Sequence, residues 1–306
     1  MKKLVLETQG RDEGQRLDRF LASRGGLTRG EARRLLDRGA VWVNGQRVKI
    51  ASRPVHEGQE VSVFIEEAGR SEPAAQRLEP ERVLLEDAHL IAVDKPPGVP
   101  AQATLATDCG NLLALVSAHV GREVGLVHRL DLETSGVTLF AKTRPATTAL
   151  AAAFRHGTVQ KRYLAAALGT LPDEGRVDLA ISPDPRRWGK FRALPGGKVP
   201  AATRFRVLAR RGLLCAVELF PETGRTHQIR VHLKALGAPI AGDDLYGGPA
   251  EVETPTGRHR AERVMLHARS LELPHPATGA RLAVEAPLPE DLKGLLVAAG
   301  ADPCVL

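Results

Sequence analysis

The chain has 306 residues, 43% of them hydrophobic, with 43 Lys and Arg against 36 Asp and Glu for a formal charge of +7. That length and apolar content accommodate one large domain and one small one, and the positive balance suits a polyanionic partner. Aromatic residues make up only 4%, which excludes recognition by a long row of stacking rings and leaves it to Arg, Lys and shape. Cys109, Cys215 and Cys304 are widely separated and contain no C-x-x-C, so neither a zinc pattern nor a disulfide framework is expected, and a reducing cytosol is the natural compartment. No run approaches 18 consecutive apolar residues and the N-terminus lacks a long apolar stretch, so neither membrane insertion nor export is expected.

In chain order, Leu17, Phe20 and Leu21 recur at helical spacing within Gln15–Ser23, and Thr28-Arg29-Gly30-Glu31 is a capping box opening a second helix through about Asp37. Asn44-Gly45 between Val41, Val43 and Val48 predicts a hairpin, and Val61, Val63 and Ile65 alternate as a further strand. Arg29 and Arg33, like Arg34 and Arg38, stand four apart and so share helix faces, which can either meet phosphates or be plain solvated charge. Residues 69–80 carry two prolines and no apolar periodicity, as an inter-domain linker would. Beyond it, strands are expected at 83–86, 90–94, 159–169, 201–209 and 213–220, with an Ala-rich helix over 144–156 and another ending at Ala235. Runs of adjacent strands interrupted by few helices argue for an α+β class.

One stretch concentrates chemistry. Val127-His128-Arg129-Leu130-Asp131-Leu132-Glu133-Thr134-Ser135-Gly136 gathers an imidazole, a cation and two carboxylates on a loop feeding the apolar strand Val137–Ala141. Charge brought this close to a core needs a partner or a purpose. A metal site is not expected: His227 and His232 are five apart and no HExxH occurs. A hydrolase triad from His128, Asp131 and Ser135 lacks the G-x-S-x-G elbow. Arg225, just after Thr223-Gly224, reads locally either as an anion contact at a helix start or as a partner of Glu222. Tyr163 on its alternating strand and Leu266 read locally as core residues.

The string HRLDLETSG resembles the signature of the RluA-type family of pseudouridine synthases, and DKPPG, KRYLA, TGRTHQIRVHL with APIAGDDLYG, and MLHA resemble its further motifs. The family often has a His after DKPPG, where Val99-Pro100-Ala101-Gln102 stands here. The segment from about Gly14 to residue 67 is similar to the small RNA-binding domain named after ribosomal protein S-four. The resemblance implies a small α/β RNA-binding domain over 1–68, a linker over 69–80, and an α+β catalytic domain over 81–306, built on a mixed, largely antiparallel sheet with a central cleft. It implies isomerisation of specific uridines to pseudouridine in structured RNA, ribosomal before transfer RNA, by a cytoplasmic monomer that needs no metal or organic cofactor. Asp131 becomes the catalytic carboxylate, Arg225 its ion-pair partner, and Tyr163 the aromatic of the uracil pocket and the candidate base for the proton on carbon 5. Arg129, His128 and Leu266 become substrate contacts in the catalytic domain, and Arg29, Arg33 and Arg34 become RNA contacts in the small one. A non-catalytic RNA-binding or ribosome-assembly protein, or a nucleosidase that releases free uracil, are the rival readings.

Overall fold

Thr28 opens a helix because both halves of its capping box form: its hydroxyl accepts from Glu31 N at 3.2 Å, and the Glu31 carboxylate accepts from Thr28 N at 2.7 Å. Asn44 and Gly45 both take positive φ, 49° and 75°, the conformation that lets a two-residue turn follow the strand twist. The computed structural model in which these features are seen describes residues 2–65, 77–197, 199–254 and 257–306, and the chain divides into two units.

The first unit comprises Met1–Gln76 with Gln102–Leu115. Its antiparallel sheet runs β1 (Lys2–Glu7), β4 (Glu60–Ile65), β2 (Val41–Val43), β3 (Gln46–Arg47), and α1 (Leu17–Gly25) and α2 (Arg29–Asp37) pack on it. Leu17, Phe20, Leu21 and Leu36 bury against Val41, Val43, Val61 and Val63. The expected helices and hairpin are all present; β1 was not expected, and its side chains are mostly exposed, so its alternation carries little apolar signal. Residues 102–115, expected with the catalytic domain, belong to this unit. Asp108 pairs with Lys49 at 2.7 Å and Arg47 at 3.3 Å, and Trp42 Nε1 donates to Leu105 O at 3.0 Å. Most of the expected linker, 69–76, lies outside the described residues.

The second unit, Arg77–Ala101 with Val116–Leu306, holds a 10-stranded sheet. Its strands are β5 (Val83–Glu86), β6 (Leu90–Lys95), β7 (Gly125–Leu126), β8 (Ser135–Ala141), β9 (Gln160–Leu168), β10 (Glu174–Asp178), β13 (Ala202–Arg211), β14 (Leu214–Pro221), β17 (Leu266–Pro274) and β18 (Arg281–Glu285). The order is β10-β13-β14-β9-β17-β8-β6-β5, with β18 on β17 and β7 on β8, and every pairing is antiparallel except β17 with β8. Hairpins β11 (Ala180–Pro183) with β12 (Phe191–Leu194) and β15 (Glu251–Thr254) with β16 (Gly257–Arg260) lie outside it. Helices α4 (Arg144–Arg155), α5 (Gln228–Ala235) and α6 (Glu290–Ala298) pack on the strands, whereas α3 (Leu112–Val120) spans the boundary between the units. The α+β, mixed and largely antiparallel architecture is therefore present as expected. Among the described residues no helix is long and apolar enough to cross a membrane.

The parallel β8–β17 contact matters because β8 follows directly on the HRLDLETSG loop. Gly136, with φ +112°, lies so close to β17 that a Cβ there would sit 2.2 Å from Ala268 O, whereas Gly157, φ +71°, has nothing within 4 Å. Gly136→Ala should therefore cost on the order of 3 kcal/mol or more, and Gly157→Ala roughly 1 kcal/mol, in urea unfolding monitored by circular dichroism. Equal costs would show that the close strand approach does not constrain the loop.

Candidate active site

A cleft of about 500 Å³ opens in the second unit, a size that suits a small organic group such as a nucleobase. Its wall brings together His128, Arg129, Asp131, Tyr163, Arg225 and Leu266, as expected, with Lys161, Gln228 and Arg230 among the residues not foreseen.

Asp131 stands on the loop between β7 and β8, and that loop is tied down on both sides. Thr134 N donates to Asp131 O at 3.2 Å, closing a turn, and Ser135 Oγ shares a 2.9 Å hydrogen bond with His267 Nδ1 on β17. Lys95, at the end of β6, is fully buried, and its Nζ donates to the carbonyls of Pro96, Val99 and Leu132, each at 2.9 Å. Leu132 O also accepts from Gly98 N at 2.9 Å, so the DKPPG turn is fastened to the residue after Asp131. Burial pulls the Lys95 amine down to about 7, with the Asp131 charge pulling it back up. Only the ammonium form has three N–H groups for three carbonyls, so the cage itself favours the charged lysine.

The partner of Asp131 is Arg230, not Arg225. Arg230 Nη1 donates to Asp131 Oδ2 at 3.3 Å. Its other edge makes a two-pronged contact with the fully buried Asp243, Nε to Oδ2 at 2.7 Å and Nη2 to Oδ1 at 2.8 Å. Burial works against the Arg230 charge, yet the Asp243 hydrogen bonds and the Asp131 charge outweigh it and raise the guanidinium pKa above its ordinary value. Arg225 is exposed and turns its Nε to Pro200 O at 3.2 Å. The reason lies in the start of α5. That helix begins only at Gln228, after His227 in a left-handed conformation with φ 56°. The buried Gln228 amide accepts from Arg225 N at 3.0 Å and Thr223 Oγ1 at 2.6 Å, and donates to Ala202 O and Thr203 Oγ1. This clip shapes the Thr223–His227 loop and leaves Arg230, two residues into the helix, pointing at both carboxylates.

Tyr163 lines the cleft between Leu219 of β14 and Ala268 of β17 in register. Burial, and then the Asp131 charge, push its phenol well above the usual tyrosine range, so the hydroxyl stays protonated and the expected base role meets an opposing field. His128 lines the cleft with its ring stacked on Phe154 at 4.6 Å and its Nε2 accepting from Leu139 N at 2.9 Å. Burial lowers its pKa to about 3, with the Lys161 charge adding to the effect, so it stays neutral. Arg129 is exposed and donates to Thr226 Oγ1 at 3.4 Å, linking the two loops, and Leu266, 3% exposed, is an apolar wall.

In the first unit, the stripe on α2 is anchored from beneath. The fully buried Asp18 accepts from Arg16 at 3.1 Å, Arg29 Nε at 3.0 Å and Arg33 Nε at 3.1 Å. Arg29 and Arg33 thus hold the helix pair together while about half of each side chain remains exposed, and Arg34 lines a separate surface groove with Leu27 and Phe64.

The geometry defines an enzyme cleft built around one fixed carboxylate, and comparison with known proteins gives its class. The model of the RNA pseudouridylate synthase family matches residues 89–235, and the S4 domain matches residues 15–61. The chain is 35% identical over 300 residues to ribosomal large subunit pseudouridine synthase D of Pseudomonas aeruginosa, covering 92% of this chain and 91% of that one. It is 36% identical to ribosomal large subunit pseudouridine synthase C of Vibrio cholerae, covering 92% of each. Among solved structures, human RNA pseudouridylate synthase domain containing 4 superposes with a TM-score of 0.56 at 27% identity, over 71% of this chain and 93% of that one. The chain belongs to the RNA pseudouridylate synthase family and is a pseudouridine synthase carrying an S4 domain.

Arg230→Lys should lower single-turnover uridine conversion by roughly 10²-fold, since a lysine cannot span both carboxylates, while Arg225→Lys should stay within about tenfold of the unmodified enzyme. The reverse ranking would reinstate Arg225 as the partner of Asp131. For the first unit, burial raises the Asp18 pKa, but the hydrogen bonds from Arg16, Arg29 and Arg33 outweigh it and depress it far below the usual carboxylate range. A depressed carboxylate contributes stability that is complete above the unfolded pKa of about 4 and lost as pH falls through the folded one. Asp18→Asn should therefore flatten the acid limb of the melting-temperature profile of this unit, and an unchanged limb would remove Asp18 from its acid stability.

Proposed function

We propose that this enzyme converts specific uridines of large-subunit ribosomal RNA to pseudouridine, with Asp131 as the catalytic carboxylate. The observation that carries the assignment of Asp131 is its placement: it faces the cleft on a loop fixed by Lys95, with Oδ2 held by a guanidinium that is itself locked to a buried carboxylate. The relatives, named as synthases of the ribosomal large subunit, support ribosomal RNA as the substrate. The target uridine leaves the stack and enters the cleft, at an unstacking cost of a few kcal/mol that backbone contacts offset. Exposed arginines on α2 and Arg129 beside the cleft suit the phosphate and base contacts this requires.

Once the base is seated, Asp131 promotes cleavage of the bond between ribose and uracil. Two routes use the same carboxylate, attack on the anomeric carbon or removal of the proton on the neighbouring ribose carbon, and in both Arg230 holds Oδ2 and leaves Oδ1 to react. The Tyr163 ring and Leu266 provide the apolar surface on which the freed uracil turns before rejoining through carbon 5. Bonds are exchanged without net oxidation or hydrolysis, so the reaction needs no metal or organic cofactor. Three free cysteines suit a reducing cytosol.

The assay is tritium release from RNA carrying tritium at carbon 5 of uridine, with the retained base and free uracil followed in parallel. Asp131→Asn should lose at least about 10³-fold in turnover while binding RNA within a few-fold of the unmodified enzyme. Turnover within tenfold would remove Asp131 from the chemistry, and free uracil as product would make the protein a hydrolase. Modification maps of RNA with and without the enzyme should change in large-subunit ribosomal RNA; a change confined to transfer RNA would reassign the substrate. Chelators should leave the rate unchanged, and EDTA inhibition reversed by added magnesium or zinc would contradict the cofactor-free scheme.

A further inference from the structure

Lys161 and Tyr163 are two apart on β9, and strand alternation sends both side chains to one face, where both line the cleft. Lys161 Nζ donates to Thr223 O at 2.8 Å, which fixes the amine beside the loop that leads to α5. Among the described residues no carboxylate lies within ion-pair distance of it, an unusual condition for a half-buried lysine and one that structural packing does not call for.

We propose that the amine of Lys161 removes the proton from carbon 5 of the rejoined uracil, the last step of the isomerisation; this rests on the reaction proposed above. When carbon 5 has bonded to the ribose, it still carries its hydrogen, and the ring has a double bond between N1 and carbon 6. Neutral Lys161 takes that proton. The C–H electron pair restores the bond between carbons 5 and 6, the N1 π pair becomes a lone pair, and N1 takes a proton from water. The ammonium then releases its proton to solvent, so nothing is oxidised or reduced.

The surroundings suit this role. Burial lowers the Lys161 amine to about 8, near the working pH, where a general base is most effective. The other ionisable groups of the cleft are His128, Arg129 and Asp131 from the loop before β8, Arg155 at the end of α4, Tyr163 on β9, Glu222 and Arg225 from the loop after β14, and His227 and Arg230 at the start of α5. His128 is a poor base, since burial lowers its pKa and its Nε2 already accepts from Leu139 N. Burial likewise lowers His227, Glu222 is paired with Arg176 and Arg204, and the Tyr163 phenol is held protonated by burial and by Asp131. Apart from Asp131, the Lys161 amine is therefore the group of the cleft best suited to accept a proton.

The test measures carbon-5 proton loss in single turnover across pH for Lys161→Arg and Lys161→Ala, with RNA affinity measured alongside. In the unmodified enzyme this step should speed up as pH rises through about 8. Lys161→Arg keeps the cation but cannot shed its proton, so the step should slow by roughly 10²–10⁴-fold, RNA affinity should hold within a few-fold, and the rise near pH 8 should vanish. Lys161→Ala should be partly restored by ethylamine in proportion to its free-base concentration. Turnover of Lys161→Arg like that of the unmodified enzyme, or a Lys161→Ala defect untouched by ethylamine, overturns the proposal. An unmodified enzyme that makes no pseudouridine would instead overturn the function on which it rests.

Discussion

The contact on which the site depends is the buried two-pronged pair between Arg230 and Asp243. Asp243 is 0% and Arg230 7% exposed, so both charges have given up water, a cost of several kcal/mol per ion that close, parallel hydrogen bonds at 2.7 and 2.8 Å offset. Such a pair adds little net stability over well-packed apolar residues, and its value is positional. With two nitrogens committed to Asp243, the remaining Nη1 of Arg230 has one direction to point, and Asp131 lies there at 3.3 Å. The longer, single contact suits a reacting carboxylate, which must be held in place and must also be free to react.

The same division between anchoring and reacting groups runs through the rest of the cleft. Backbone carbonyls, rather than a carboxylate, satisfy Lys95, so its charge sits near Asp131 without competing with the Arg230 guanidinium for that carboxylate. Ser135 and Gly136 lock the start of β8 to β17, Glu133 Oε2 accepts from Val264 N at 3.3 Å, and the loop between these anchors carries Asp131. Gln228 does for the loop before α5 what Lys95 does for the loop before β8. Two clamped loops then face each other across the cleft, with Arg129 bonded to Thr226 between them.

Much of this is legible in the sequence. The capping box at Thr28, the Asn44-Gly45 hairpin and most strands announce themselves through local chemistry, which acts within a few residues. Asp131 is legible because a carboxylate on a loop entering an apolar strand is conspicuous, and the ordered string around it resembles a known family. The partner of Asp131 is not legible, because the choice between Arg225 and Arg230 turns on where α5 begins, and that is decided by the Gln228 side chain and the positive φ of His227. Asp243 and Lys95 both lie inside family-like strings, yet nothing local says that one receives a fork and the other a cage of carbonyls. That Arg29 and Arg33 both pair with Asp18 is not legible, since a residue eleven and fifteen positions away leaves no trace in helical spacing.

The claim that Asp243 acts on the chemistry only through Arg230 is tested most directly by a double-mutant cycle on the single-turnover rate of uridine conversion. Asp243→Asn, Arg230→Met and the pair together should be compared, with folding of each checked by circular dichroism. If the two residues form one positioning unit, the double variant should be no slower than the slower single variant, because removing the second residue has nothing left to disturb. Rate losses that multiply in the double variant would mean that Asp243 and Arg230 act independently, and the chain of contacts from Asp243 through Arg230 to Asp131 would not be what places the catalytic carboxylate.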